Sequence, residues 1–283
     1  MTKRILITGG SGGIGAALAR RCAQAGAWPI VGYCRNAPRA SAVIHQCGAG
    51  ETLAIDLRRE DLGLNGELPA VDAVVHCAAE YSPDRSLLAG PATAEELLRA
   101  NVIGPMRLTA ALAAKSSRLR QVLFMLSSSA FCRGTGPYAL SKAAALAAAR
   151  LMANELWPRG TQVDAVAPGW TDTPLAHRAA KWSGRTFAQV AAAHLDGRLL
   201  QPDDVAQVCT QWLFNRPAHS VPQLVVFDRR DSAEPVWQPL SAVDLRNAPA
   251  AGAECNDAAV SRAPGHRLGS ASTTNHQPPT TSQ

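Results

Sequence analysis

Residues 4–15, Arg4-Ile5-Leu6-Ile7-Thr8-Gly9-Gly10-Ser11-Gly12-Gly13-Ile14-Gly15, carry the reading that decides the fold. An apolar run of strand length ends at Thr8, glycine then fills most of the next seven positions, and apolar residues recur at helical spacing over 14–25. Glycines allow a tight turn and a close backbone approach, while the open N–H groups and positive dipole end of the new helix attract phosphate. A glycine-rich connection without a ligand is the plainer alternative. The preceding strand and following helix favour a phosphate site instead, formed by Gly9, Ser11, Gly13, Ile14 and Gly15.

Further apolar runs of strand length occur at 29–34, 51–55, 72–78, 121–126, 162–167 and 223–227. Helical stretches lie between most of them, clearest at 14–25, 94–114, 138–156 and 203–214. Strands that are continuously apolar are buried on both faces, and right-handed crossovers then give a doubly wound parallel sheet. The expectation is an α/β fold of the Rossmann type, with seven parallel strands in one domain spanning 1–230. From 231 to 283 lysine is absent, Trp237 is the only aromatic residue, and clusters such as Asn275-His276-Gln277-Pro278-Pro279 show no periodicity. That stretch reads as a disordered tail.

With 283 residues, 47% of them hydrophobic and 18% charged, the chain suffices for one sizeable core and a tail. The net charge of +6 is spread along the sequence, with no basic stripe for nucleic acid. Seven cysteines, at 22, 34, 47, 77, 132, 209 and 255, form no Cys-x-x-Cys pair, so neither a disulfide framework nor a metal site is expected. The run Ile5-Leu6-Ile7 is too short for a signal peptide, and no stretch reaches membrane-spanning length. A reducing, cytoplasmic setting and no membrane partner are the expectations.

In a doubly wound fold the end of the second strand selects the dinucleotide, because a carboxylate there binds the ribose hydroxyls of NAD and repels a 2′-phosphate. Here Tyr33-Cys34-Arg35 lacks the carboxylate and offers a guanidinium, so NADP(H) is preferred over NAD(H), with Arg35 as the phosphate partner. Asp56, after the third strand, is a candidate acceptor for the adenine amino group, or a helix cap. Tyr138-Ala139-Leu140-Ser141-Lys142 sets a phenol and an ammonium four residues apart, on one helix face. A cation beside a phenol stabilises the phenolate, which suits the pair to proton transfer during hydride exchange. A surface Tyr and Lys on an amphipathic helix is the plainer alternative.

Together, Thr8-Gly9 to Gly15 and Tyr138 to Lys142 resemble the short-chain dehydrogenase/reductase family, whose pattern joins Thr-Gly-x-x-x-Gly-x-Gly to Tyr-x-x-x-Lys in this order. Asp56, Asn101-Val102-x-Gly104, Ser127-Ser128-Ser129, and Pro168-Gly169 with Thr173 agree with it, so the resemblance covers about residues 3–228. It implies Tyr138 as acid-base, Lys142 holding the nicotinamide ribose and the tyrosine, and Asn101 supporting a proton-relay water. Ser128 ranks first as the group that polarises substrate oxygen. Because that serine lies only ten residues before Tyr138, Ser127 and Ser129 stay open as alternatives. Leu57 and Ala78 join the cofactor wall, with Pro168, Gly169 and Thr173 beside the nicotinamide.

Two departures stand out: His76-Cys77-Ala78-Ala79 where the family has Asn-Asn-Ala-Gly, and Asp228-Arg229-Arg230 where many members have Asp-Gly-Gly. The implied function is hydride transfer between a nicotinamide cofactor and a small carbonyl or alcohol, in a homodimer or homotetramer. A non-catalytic dinucleotide-binding regulator and an epimerase or dehydratase of the same fold are the alternatives. Residues 170–200, with His177, Trp182, Phe187 and His194, read as lid and pocket wall.

Overall fold

The computed structural model describes residues 2–240 except 65, 85, 89–90, 132–135, 217–220, 231 and 233. Seven parallel strands, β1 Arg4–Thr8, β2 Trp28–Tyr33, β3 Glu51–Ala54, β4 Ala73–His76, β5 Gln121–Met125, β6 Gln162–Pro168 and β7 Gln223–Phe227, lie in the order β3-β2-β1-β4-β5-β6-β7. All seven overlie the predicted runs. The helices are α1 Gly13–Gln24, α2 Ala37–Cys47, α3 Pro91–Leu98, α4 Gly104–Lys115, α5 Gly136–Leu156, α6 Pro174–Trp182, α7 Phe187–Ala192 and α8 Pro202–Asn215. No helix among the described residues is long and apolar enough to cross a membrane.

Strand alternation divides the buried side chains between two cores. Leu6, Val74, Val122 and Phe124 pack with Leu108 and Leu112 of α4 and Leu146 and Ala149 of α5. Their neighbours Ile5, Ile7, Val75, Leu123 and Met125 face the other way, onto Leu18 of α1, Val43 of α2 and Trp212 of α8. Both faces of the sheet are therefore covered, which is why its strands read as unbroken apolar runs. β1 and β4 are neighbours whose following helices go to opposite faces, and the crevice between their C-terminal ends is the ligand position of such sheets.

The sheet extends beyond the expected boundary at 230. β8, Val236–Pro239, pairs antiparallel with β7 in the register Val225↔Trp237 and gives the sheet an eighth strand. Trp237 meets Trp212 edge-on at 5.2 Å, and Leu240 is buried with its carbonyl accepting from Arg150 at 2.8 Å. An edge strand with one docked aromatic and a terminal proline carries little pattern of its own, so composition placed it in the tail. Residues 241–283 of that predicted tail lie outside the described residues.

The single helix expected over 94–114 is α3 and α4 joined through a π turn at Arg99–Ile103. Pro105 has no N–H, so the carbonyl of Asn101 cannot receive its usual α-helical bond. A Cβ on Gly104 would stand 2.1 Å from the Leu57 carbonyl oxygen, so the helix lies directly on the loop after β3. Such π turns are frequent at functional sites.

Candidate active site

The crevice at the β1–β4 junction is a cleft of about 430 Å³, the size of a small-molecule pocket. Its wall includes Gly9, Ser11, Gly13, Ile14, Gly15, Arg35, Asp56, Leu57, Ala78 and Thr173, all expected in a cofactor site. Gly9 has φ +65°, and a Cβ there would lie 2.7 Å from the Ala78 Cα. A Cβ on Gly15 would stand 2.6 Å from the Gly9 carbonyl, so the turn and the first helical turn interlock with no room for a side chain. α1 starts after Gly12 without any side-chain cap, which leaves its first N–H groups facing the cleft for an anion. Across the cleft, Thr173 caps α6 by accepting from Ala176 N–H at 3.2 Å, and its methyl lies against Gly13. These features fit a dinucleotide pyrophosphate.

The cleft wall is also cationic. Arg35, Arg39, Arg58 and Arg178 line it, with the carboxylates of Asp56 and Glu80. Asn36 caps α2 by accepting from Arg39 N–H at 3.0 Å, which brings the Arg39 guanidinium over Gly12. Arg58 grips Asp56 through bonds of 2.9 and 2.8 Å, and this hydrogen-bonded cation lowers the Asp56 pKa to about 2. Arg35 is exposed and only loosely paired with Glu80 at 3.4 Å. Arg39, Arg58 and Arg178 were not foreseen, because their places in the cleft wall are set by the fold and not by any local motif.

Tyr138 lies in the first turns of α5, with the Ser127 side chain near its phenol. Burial pushes the phenol up to about 12; Ser127 opposes that shift and nearby Tyr81 adds to it. Lys142, one turn on, is buried and donates to the Met125 carbonyl at 3.0 Å, its ammonium 5.7 Å from the centre of the Tyr138 ring. Burial brings its pKa down to about 8. Tyr138 is therefore protonated at neutral pH while Lys142 sits near its titration point.

The serine expected first in the site is not the one that reaches Tyr138. Ser128 opens a 3-10 turn, Ser128–Phe131, in which strand alternation ends and its hydroxyl turns away, to accept from Arg230 at 3.2 Å. Arg230 also grips the buried Asp228 at 2.6 Å, and Asp228 closes on Gly169 so tightly that a Cβ there would stand 2.5 Å from the carboxylate. Arg230 thus ties together the C-terminal ends of β5, β6 and β7. Ser127, one residue earlier, is the serine that meets the phenol, and its hydroxyl accepts from Ser129 Oγ at 2.8 Å.

Asn101 is buried in the π turn with its side chain fully engaged. Its Oδ1 accepts from Glu80 N–H at 2.8 Å, and its Nδ2 donates to Glu80 O at 2.9 Å and Ser141 Oγ at 3.0 Å. The side chain clamps the loop after β4 to the helix that carries Tyr138, so any relay water would fall to the Asn101 carbonyl. His76, where the family has asparagine, is a buried ring bonded to Thr109 Oγ1 at 2.8 Å, and burial lowers its pKa to about 3. It is a neutral core residue. Pro168 ends β6, while Pro168, Gly169, Asn101, Tyr138 and Lys142 stand outside the wall of the cleft.

The segment expected to be a lid folds as α6 and α7. His177 stacks on Phe187 at 3.8 Å and pairs with Asp172 at 2.8 Å, so both rings are engaged within the lid. His194 is buried, with Nδ1 bonded to the Val190 carbonyl at 2.8 Å. Trp182 instead reaches back to Tyr81, which the sequence did not single out.

Comparison with known proteins follows the same outline. Residues 9–219 match the family model described as enoyl-(acyl carrier protein) reductase. The short-chain reductase protein NovJ of Streptomyces niveus is 29% identical over 224 residues, covering 71% of this chain and 83% of that protein. A solved short chain dehydrogenase/reductase family protein superposes with a TM-score of 0.70 at 27% identity, over 80% of this chain and 95% of its own. The 3-ketoacyl-(acyl-carrier-protein) reductase of Brucella melitensis, solved with NADH, shares the fold with a TM-score of 0.65 at 24% identity, over 80% and 96% of the two chains. With the family model spanning most of the chain and the glycine turn, Tyr138 and Lys142 in place, this protein belongs to the short-chain dehydrogenase/reductase family and is an oxidoreductase.

Proposed function

We propose that the protein is an NADP(H)-preferring carbonyl reductase or alcohol dehydrogenase in which Tyr138 is the general acid-base and Ser127 polarises the substrate oxygen. The buried ammonium of Lys142, 5.7 Å from the centre of the Tyr138 ring on the same helix, is the observation that carries the reading, and the Ser127 side chain favours the Tyr138 phenolate. A bound nicotinamide supplies or takes up the hydride. In reduction, the phenol of Tyr138 gives its proton to the substrate oxygen while Ser127 Oγ donates a hydrogen bond to the same atom. Lys142 stabilises the phenolate that remains, and the Asn101 carbonyl, denied an α-helical partner by Pro105, holds the water through which the proton is replaced. In alcohol oxidation the same groups act in reverse.

Gly9, Ser11, Gly13, Ile14 and Gly15 hold the pyrophosphate on the first turn of α1. Arg35 and Arg39 take the 2′-phosphate, since no carboxylate ends β2 and Asp56 is already neutralised by Arg58. Leu57 and Ala78 flank the adenine side, and Pro168, Gly169 and Thr173 the nicotinamide side. Leu140, Ala147 and Leu151 form an exposed stripe along α5, with Ile103 and Met106 exposed at the start of α4. This face supports a homodimer or homotetramer, in a cytoplasmic setting given the five free cysteines among the described residues.

The test is turnover of NADPH and NADH on a panel of ketones, followed by cofactor absorbance, with measured affinities for both cofactors. Oxidation of NADPH with a lower KM than NADH is expected. Tight cofactor binding with no turnover of any carbonyl or alcohol would overturn the reductase reading, and preference for NADH would overturn the assignment of Arg35 and Arg39.

A further inference from the structure

The wall of the dinucleotide cleft includes neither Tyr138 nor Ser127, and an aromatic pair leads away from the Tyr138 ring. Tyr81 meets the Tyr138 ring edge-on, centroids 4.9 Å apart at 61°. Trp182 lies flat on Tyr81, centroids 5.7 Å apart and planes within 4°. The two rings are held differently. Tyr81 follows Glu80, whose N–H and C=O are both clamped by Asn101, so its position is tied to the π turn. Trp182 ends α6 and is 48% exposed.

Its helix packs in a small cluster of its own, Ala180, Val190 and Leu199 with Trp170 and Phe187, separate from the two sheet cores. Residues 172–199 leave the sheet end and are held to it where Thr171 bridges Leu200, and again after β7, where Leu195 N–H donates to Arg229 O at 2.9 Å beside the Arg229–Asp196 pair. At the bridge, Asp172 N–H donates to Leu200 O at 2.7 Å and Leu200 N–H to Trp170 O at 3.1 Å. One ring is fixed to the site, and the other stands half-exposed at the end of a helix that packs in a cluster of its own. Among the described residues, Lys142 holds the Met125 carbonyl, and Arg230 holds Asp228 and Ser128. Ring faces are what this wall offers a substrate.

We infer that Tyr81 and Trp182 form an aromatic clamp that selects substrates whose carbonyl or carbinol carbon is attached to a flat ring, an assignment that rests on Tyr138 being the acid-base. Such a ring takes a place on the face of Tyr81 as Trp182 moves aside, so one ring contact is exchanged for another. An aliphatic chain breaks the same stack and returns less.

The test compares acetophenone with 2-octanone, ketones of equal carbon number, as substrates of the full-length protein with NADPH. Wild type should favour acetophenone in kcat/KM by roughly tenfold, the equivalent of one ring-on-ring contact. Tyr81→Leu and Trp182→Ala should bring the ratio close to one, Trp182→Phe should preserve it, and NADPH affinity measured on each variant reports its folding. A wild-type ratio near one, or a ratio unmoved in both Tyr81→Leu and Trp182→Ala, overturns the clamp.

If neither ketone is turned over, the reductase assignment fails separately and the clamp is read by binding. Acetophenone should then quench the tryptophan emission of the NADP⁺-saturated wild type but not that of Trp182→Phe. Equal quenching in both overturns it.

Discussion

The glycine end and the tyrosine end of the candidate site are built on different principles. At the glycine end, backbone touches backbone: Gly15 against Gly9 and Gly9 against Ala78, with distances that exclude any Cβ. At the tyrosine end, side chains do the positioning: Ser127 on Tyr138, Asn101 on the peptide of Glu80, Tyr81 between Tyr138 and Trp182. The first end has one sequence solution and one ligand chemistry. The second can change its rings and keep Tyr138, so under the proposed function this is the end at which substrate choice varies.

Substitutions that separate the two ends sharpen this contrast. The largest effect is expected at the tyrosine end, where Ser127→Ala should lower kcat by about 10²–10³, as loss of a donor to a developing oxyanion does. NADPH affinity should stay unchanged, and Ser128→Ala should leave kcat much closer to wild type. Steady-state kinetics on both variants check it, and equal losses would blur the serine assignment. Gly15→Ala should act at the other end alone, weakening NADPH binding by up to roughly a hundredfold, the cost of overpacking against fixed backbone. Fluorescence titration of NADPH reads that loss.

A smaller effect follows from pH. Lys142 is charged only below its pKa of about 8, so kcat/KM for carbonyl reduction should hold below that pH. Above it the rate should fall by about tenfold per unit as the ammonium loses its proton. Lys142→Arg, charged throughout, should move the descending limb to higher pH. The smallest effect is expected from Arg35→Ala: about fivefold weaker NADPH binding with NADH unaffected, because the side chain is exposed and screened. Parallel titrations with the two cofactors measure it.

What could be read in the sequence follows the same division. The seven parallel strands were legible because a sheet buried on both faces writes continuous apolar runs, and the glycine turn because close backbone packing admits only one residue type. Tyr138 and Lys142 were legible because four residues on a helix make one face. The choice among Ser127, Ser128 and Ser129 was not legible, since the direction of Ser128 is set by a 3-10 turn and by Arg230, 102 residues away. β8 went unread because an edge strand that docks through Trp237 onto Trp212 has almost no pattern of its own. The stack of Trp182 on Tyr81 joins residues a hundred positions apart, and only the fold brings them together.

The most direct test of the central claim is Tyr138→Phe, which removes the phenol oxygen and keeps the ring that Tyr81 packs against. Turnover of the best carbonyl substrate should fall by about 10²–10⁴, the usual contribution of a positioned acid-base group, while the affinity for NADPH stays at the wild-type value. Wild-type turnover in this variant would contradict the assignment of Tyr138 as the proton donor.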